Sequence, residues 1–187
     1  MSKSIGRNVH RNVYVAKGYE VRVDVPVSTL LRINRKSAGN LVRCSYGIKT
    51  KERRGHIRVS DLRFNSNMPD IPVPSRGPIK FVLDYPLGKK YVGIIPAKMY
   101  NRMFRTIQIG ELCWLVAQAY KKIYATTVMK KIGEVSPKKW KATFRDNSIS
   151  VGDKNPWGIW GHSIDDLVIE GFVWIPKTKM FYVYIGS

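Results

Sequence analysis

Apolar and polar residues alternate in several segments of the chain. Residues 19–25 ("YEVRVDV") place an apolar side chain at every second position, and this period of two predicts a strand with one buried and one solvated face. Residues 79–95 contain two β-rich runs on either side of a proline and a glycine in turn order, which predicts a hairpin. Residues 41–49 and 56–64 predict two more strands, joined by the basic loop "TKERRG" at 50–55.

Two segments near the C-terminal end are apolar at almost every position. They are "LVIEGFVWIP" (167–176) and "MFYVYIGS" (180–187), with Lys177-Thr178-Lys179 between them. A continuous apolar run of this length is typical of a strand buried on both faces. We therefore predict two buried strands joined by a turn.

The period changes to three and four between residues 106 and 124. The apolar positions with this spacing are Leu112, Leu115, Val116, Ala119 and Ile123, which predicts an amphipathic helix with its apolar stripe in the core. A shorter helix is predicted after Ser28 or Thr29, ending at Gly39-Asn40. Together these elements predict an α+β fold: a mainly antiparallel sheet built from hairpins, with one principal amphipathic helix (106–124) packed on it.

The length and composition suit one folded domain. The chain has 187 residues, of which 44% are hydrophobic, enough for a substantial core. Residues 1–12 are polar and basic and are predicted to form a mobile arm. Residues 13–187 are predicted to form a single domain, in which the four prolines of 65–78 mark an extended internal linker.

The net charge is the strongest global feature of the sequence. Thirty-three Lys and Arg residues against 13 Asp and Glu give a formal charge of +20. Such a chain attracts polyanions, of which nucleic acid is the first candidate and an anionic membrane surface the second. No apolar stretch approaches the roughly 20 residues of a membrane span, and residues 1–13 lack an apolar signal core. We expect an intracellular protein, in the cytoplasm or the nucleus.

The basic residues at predicted loops and turns are the candidate phosphate contacts. They are Lys49, Lys51, Arg53, Arg54, Lys89, Lys90, Lys138, Lys139 and Lys141, together with Trp140 between two of the lysines. A tryptophan flanked by lysines suits stacking on an unpaired base, although a core position for Trp140 is equally compatible with the sequence. No RRM, KH or zinc-finger signature accompanies these residues. The sequence thus predicts low-specificity, non-catalytic nucleic-acid binding, with RNA or single strands favoured.

Residues 146–187 differ from the rest of the chain. They carry three basic and five acidic side chains, and they are rich in aromatic residues. The alternative hypothesis is therefore an assembly protein, such as a coat or scaffold subunit, that forms a homo-oligomer through this region. Its predicted interface residues are Phe172, Trp174, Phe181, Tyr182 and Tyr184.

The segment "GHSIDDL" (161–167) raises a third, weaker hypothesis, a hydrolase centred on His162. Ser163 and Asp166 have the S-x-x-D spacing of a helix cap, which gives the aspartate a structural role. The other histidines, His10 and His56, have no metal-ligand spacing with His162, and no phosphate-loop motif occurs. We therefore predict a structural bend, with no catalytic residue, metal ligand or cofactor.

The two cysteines, Cys44 and Cys113, are far apart in sequence and form no C-x-x-C pair. Each lies within an apolar or alternating segment, which predicts a buried thiol. The sequence leaves open whether the two side chains meet.

Overall fold

The structure, a computed structural model, describes the chain in eight stretches. These are residues 18–48, 51–53, 56–58, 70–72, 78–101, 106–132, 156–159 and 161–187, with no side chains described within 46–58, at 72 or within 127–132. The basic arm predicted at 1–12 lies outside the described residues. Of the proline-rich segment 65–78, only 70–72 and 78 are described.

Eleven strands and three α-helices occur in the described stretches. In chain order they are β1 (Tyr19–Pro26), α1 (Val27–Leu31), α2 (Arg35–Leu41), β2 (Ser45–Ile48), β3 (Lys51–Arg53), β4 (His56–Arg58), β5 (Asp70–Pro72), β6 (Ile79–Leu83), β7 (Tyr91–Ile95), β8 (Tyr100–Asn101), β9 (Thr106–Gln108), α3 (Ile109–Ile132), β10 (Val168–Ile175) and β11 (Met180–Gly186). Short 3-10 helices lie at Ala97–Met99 and Ile164–Asp166.

Six strands form the main sheet in the order β2–β1–β10–β11–β6–β7. All neighbours run antiparallel except β11 and β6, which are parallel. The β6–β7 and β10–β11 hairpins lie where the sequence predicted them. With one long helix on this sheet, the predicted α+β fold is confirmed.

Two smaller sheets change the predicted bounds of the proline-rich segment and of the basic loop. β5, β9 and β8 form a three-stranded sheet, so part of the proline-rich segment is a strand. β3 and β4 pair with each other, with Arg53 opposite His56. The predicted loop 50–55 is therefore shorter, because Lys51 and Arg53 lie in β3. β2 pairs with β1 instead of with the strand after the loop.

The helix predicted to start at Ser28 or Thr29 is in fact two helices, α1 and α2. The side chain of Asn34 accepts a hydrogen bond from the Ser37 N–H at 2.9 Å and caps α2. Asparagine is a strong N-cap residue, so it starts a new helix inside the predicted one. α2 runs on to Leu41, past the predicted stop at Gly39.

The principal helix, α3, begins and ends later than predicted. Thr106–Gln108 is strand β9, and the helix continues through Thr126 and Thr127 to Ile132. The Thr126 hydroxyl donates to the Lys122 carbonyl at 2.9 Å, so this β-branched residue is accommodated within the helix.

α3 is buried on more than the predicted stripe. Leu112, Val116, Ala119 and Ile123 are buried as expected, whereas Leu115 is only partly buried. The helix also buries Cys113, Ala117, Tyr120 and Tyr124, because α1 and α2 pack against it as well. The stripe is therefore part of the core, and the buried surface extends around the helix.

The α2–α3 contact depends on a glycine. A methyl group on Gly110 would overlap the carbonyl of Ala38 in α2. Glycine inside a helix usually costs about 1 kcal/mol relative to alanine. Here the absence of a Cβ allows the two helices to approach closely.

We expect Leu112→Ala to lower the free energy of unfolding by about 2–5 kcal/mol, because it removes a fully buried side chain from α3. Lys121→Ala, at an exposed position of the same helix, should change it by less than about 0.5 kcal/mol. Urea unfolding of the two variants measures the difference. A Leu112→Ala loss below about 1 kcal/mol would contradict this core assignment.

Candidate nucleic-acid interface

The main sheet has one face in the hydrophobic core and one face outside it. In β1, Tyr19, Val21, Val23 and Val25 belong to the core cluster together with most of the α3 stripe. Their cross-strand partners place Phe172 and Trp174 of β10, Phe181 and Val183 of β11, and Phe81 of β6 on the same inner face. Side chains at the intervening positions lie on the opposite face, which we call the outer face.

The outer face is apolar and aromatic at its centre. Val173, Tyr182, Val82 and Val92 lie in one row across β10, β11, β6 and β7. Val82 and Val173 are buried but do not belong to the core cluster. Val92 is 50%, Ile94 62% and Tyr184 42% exposed. This face therefore presents apolar and aromatic groups to solvent beside a strip of covered valines.

Strand β11 places its aromatic side chains on both faces and exposes Tyr184, which corrects the prediction that this strand is buried throughout. Strand β10 is buried on both faces from Gly171 to Trp174, as predicted. The structure also corrects the predicted partner interface. Phe172, Trp174 and Phe181 are buried in the core, so their side chains are inaccessible to a partner of the folded chain. Tyr182 is half-buried and Tyr184 is exposed, and these two remain candidate contact residues.

Cations predominate at the β6–β7 side of the outer face, and carboxylates predominate at the β1 side. Lys80 of β6 pairs with Met180 and Ile94, and the ammonium of Lys90, just before β7, lies 5.9 Å from the centre of the Tyr182 ring. A cation at an exposed ring contributes about 0.5–1 kcal/mol. Glu20 and Asp24 lie two strands away from Tyr182, in β1. Glu20 forms an ion pair with Arg22 at 3.2 Å.

Tyr184 lies where the two charged regions meet. Its partial burial and the carboxylates of Glu20 and Asp84 raise the pKa of its hydroxyl. The ring is therefore neutral at physiological pH and presents an uncharged aromatic surface.

Most of the predicted phosphate contacts are outside the described part of the structure. Lys49, Arg54, Lys138, Lys139, Trp140 and Lys141 are not described, and for Lys51 and Arg53 only the backbone of β3 is. Lys89 and Lys90 are both exposed in the β6–β7 turn. Lys80 was not singled out in the sequence, because it stands alone between apolar residues. Pairing of β6 with β11 brings it to the same face.

His162 is part of a polar network that links the β6–β7 turn to α3. Its Nε2 lies 2.7 Å from the Tyr85 hydroxyl, which lies 2.9 Å from the hydroxyl of Ser187. The Tyr124 hydroxyl donates to the His162 carbonyl at 3.1 Å, and the Tyr120 hydroxyl donates to the Tyr85 carbonyl at 2.5 Å. These contacts give the histidine a structural role at this junction.

The cap predicted after His162 is present. One carboxylate oxygen of Asp166 accepts hydrogen bonds from the N–H and the hydroxyl of Ser163, both at 2.8 Å. These two hydrogen bonds cap the N-terminus of the 3-10 helix Ile164–Asp166, which lies just before β10. Asp165 is exposed. Asp166 is thus a structural aspartate, as the S-x-x-D spacing predicted.

The two cysteines are buried thiols in the core cluster. Burial, assisted by the Asp70 carboxylate, raises the pKa of Cys44 to about 12. Burial likewise raises the pKa of Cys113, and Cys44 contributes to that shift. Both groups are therefore protonated at neutral pH.

In the described stretches of the chain, no three His, Cys, Asp or Glu side chains are grouped so as to hold a metal ion. Within the same stretches, no helix has the length and apolar character needed to cross a membrane.

Comparisons with protein families, with curated proteins and with solved structures found no match to this chain.

We expect stability to fall as the pH rises above about 9. Burial raises the pKa values of Cys44, Cys113, Tyr120 and Tyr124 in the folded chain. As the pH rises, the unfolded chain therefore loses these protons before the folded chain does. The stabilisation from these groups is fully present below their unfolded pKa values. It is lost as the pH rises from the unfolded towards the folded pKa values. Each group contributes a slope of up to about 1.4 kcal/mol per pH unit.

Urea unfolding between about pH 7 and 11 measures this slope. The control is a Cys44→Ala/Cys113→Ala variant, in which only the tyrosines remain, so the decline should begin about one pH unit higher. The comparison uses the shape of each curve, because the cavities left by the missing thiols lower the stability at every pH. Identical onsets for the two proteins would contradict the assignment to the cysteines.

Proposed function

We propose that this protein is a non-catalytic nucleic-acid-binding protein of low sequence specificity, held to phosphates by lysine and arginine side chains. The observation that carries the proposal is the +20 charge of the chain together with a sheet surface that exposes Val92, Ile94 and Tyr184. Lys80, Lys89 and Lys90 border this surface. A charge of this size attracts nucleic acid from a distance and raises the association rate.

The chemistry of the surface favours phosphate contacts over base recognition. Lysine is a compact cation on a flexible stem and binds phosphate as a point charge. Lys89 and Lys90 lie on a turn between two paired strands, so their stems start from a fixed backbone. Contacts of this kind position a nucleic acid without reading its sequence.

The first test is the salt dependence of binding. We expect a Lys89→Gln/Lys90→Gln variant to bind a mixed-sequence oligonucleotide more weakly than the parent at low salt. The slope of log K against log[salt] should become less steep by about 0.7–0.9 for each phosphate that the variant no longer neutralises. Fluorescence anisotropy between about 50 and 200 mM salt provides both quantities.

The matched control is Lys121→Gln/Lys122→Gln. It removes the same charge from exposed positions on α3, which packs on the inner side of the sheet, and should leave the slope unchanged. Equal changes in the two variants would assign binding to overall charge instead of to the β6–β7 turn. Failure of the parent to bind at about 50 mM salt would overturn the proposal.

The basic residues in and beside the loop 50–55 are a second set of candidate phosphate contacts. A fourfold glutamine variant at Lys49, Lys51, Arg53 and Arg54 should lower the slope by roughly one unit for each phosphate that these side chains neutralise in the parent. An unchanged slope would remove this loop from the interface and leave the rest of the proposal intact.

An assembly protein is the second candidate, and it is favoured by the exposed side chains of β7. This strand is at the edge of the main sheet, and its Val92 and Ile94 are at least half exposed. Exposed apolar groups on an edge strand are typical of a surface that pairs with another chain. Light scattering of the purified protein without nucleic acid tests this candidate through the molecular mass.

A further inference from the structure

We infer that the outer face of the main sheet is a stacking platform for unpaired bases, with Tyr182 and Tyr184 as the two stacking side chains. The ligand class is single-stranded nucleic acid. This inference rests on the proposed nucleic-acid binding and names the surface and the form of nucleic acid that it would select.

The two tyrosines share one side of the sheet, with Tyr184 exposed and Tyr182 half-buried between Val173 and Val82. They are two residues apart in β11 and point to the same side of the sheet, opposite Phe181 and Val183, which are in the core. Each backbone is paired on the β10 side, so a regular sheet holds both side chains. Aromatic rings held on a sheet surface suit bases of any identity, because every base has a flat π-face.

The spacing of the rings favours single strands over duplexes. Residues i and i+2 of a strand are about 7 Å apart. This is about twice the 3.4 Å rise per nucleotide of a B-form strand. Two rings at this distance suit bases that have separated from each other, and a continuous duplex keeps its bases stacked.

The charges on the outer face determine on which side of the tyrosines the sugar–phosphate chain of the bound strand lies. Lys80, Lys89 and Lys90 lie at β6 and β7, where the Asp84 carboxylate also lies near Tyr184. Glu20, which is paired with Arg22, and Asp24 lie on the far side, at β1. Three lysines outnumber Asp84 on the β6–β7 side, whereas at β1 Arg22 offsets Glu20 and Asp24 adds a negative charge. Phosphates are therefore attracted to the lysine side. The sugar–phosphate chain therefore follows the β6–β7 side, with its bases turned inward over β11.

Lys90 makes room for a base when a strand binds. In the free protein its ammonium lies 5.9 Å from the Tyr182 ring centre. Base stacking is stronger than a cation contact at an exposed ring. A base can thus replace the ammonium over the ring, and the ammonium then pairs with a phosphate.

Charge also favours this occupant over a second copy of the chain. A second copy has the same net charge of +20 and is repelled by the first, whereas a nucleic acid neutralises the lysines that border the surface. Val92 and Ile94 then provide apolar contact area beside the stacked bases.

The test compares two ligands of equal charge, a single-stranded oligonucleotide and an abasic oligonucleotide of the same length. We expect the parent to bind the strand with bases more tightly. Tyr184→Leu, at an exposed position, should lower that affinity about tenfold and leave abasic binding within about twofold. Tyr182→Leu should act in the same way. Circular dichroism checks that each variant is folded.

Tyr184→Phe and Tyr182→Phe are the matched controls, because they keep the ring and remove only the hydroxyl. Both should retain the preference for bases, and a duplex of the same sequence should respond little to any of the four changes. A preference that disappears with leucine and persists with phenylalanine identifies stacking.

Four results would decide against the platform or against the proposed function. Equal affinity of the parent for both ligands, or equal losses for both ligands in the leucine variants, would overturn the platform while phosphate binding stands. A concentration-dependent dimer that Tyr184→Leu abolishes would assign the face to a second copy. Failure to bind either ligand at low salt would instead overturn the proposed function, and the platform with it.

Discussion

The register of β11 is the constraint on which the rest of the structure depends. This strand pairs with β10 on one side and with β6 on the other, with Phe181 opposite both Trp174 and Phe81. Because side chains alternate between the faces of a sheet, a slip of one residue would exchange the two sets. Phe181 would then leave a contact with Trp174 whose ring centres are 5.1 Å apart, and Tyr182 would enter the core.

The core determines the outer surface through this register. Phe181 also contacts Tyr19 and Phe172 edge-on, at 6.1 and 6.4 Å between ring centres. Aromatic contacts of this type are each worth about 0.5–1.5 kcal/mol beyond the area they bury. The inner cluster therefore strongly disfavours any other register, and this same register holds Tyr182 and Tyr184 on the outer face.

Local patterns predicted the parts of the fold that depend on local chemistry. The alternation of 19–25 correctly assigned its apolar side chains to the core, and the Ser163–Asp166 spacing correctly predicted the cap. The extra break at Asn34 was missed because a single capping hydrogen bond outweighed the apparent continuity of the helix. The segment 180–187 was predicted as wholly buried because tyrosine counts as apolar in such patterns, although its hydroxyl tolerates exposure.

The candidate site was predicted less well, because it is assembled from distant segments. Tyr182 and Tyr184 were grouped with three aromatic residues that the register places in the core. Lys80 is isolated in the sequence and joins the outer face only through the pairing of β6 with β11. Lys89 and Lys90 were found because two adjacent lysines at a predicted turn are a local signal.

The parallel pairing of β6 with β11 also has a consequence for how the chain reaches this fold. The paired residues Val82 and Tyr182 are separated by about one hundred positions, whereas the β6–β7 and β10–β11 hairpins form between near neighbours. Closing such a long loop costs chain entropy before the contacts between β6 and β11 can offset this cost. We expect the two hairpins to form early and their union to be the slow step. Until then, β6 has an open edge next to Phe81, and this edge can pair with another chain and start aggregation.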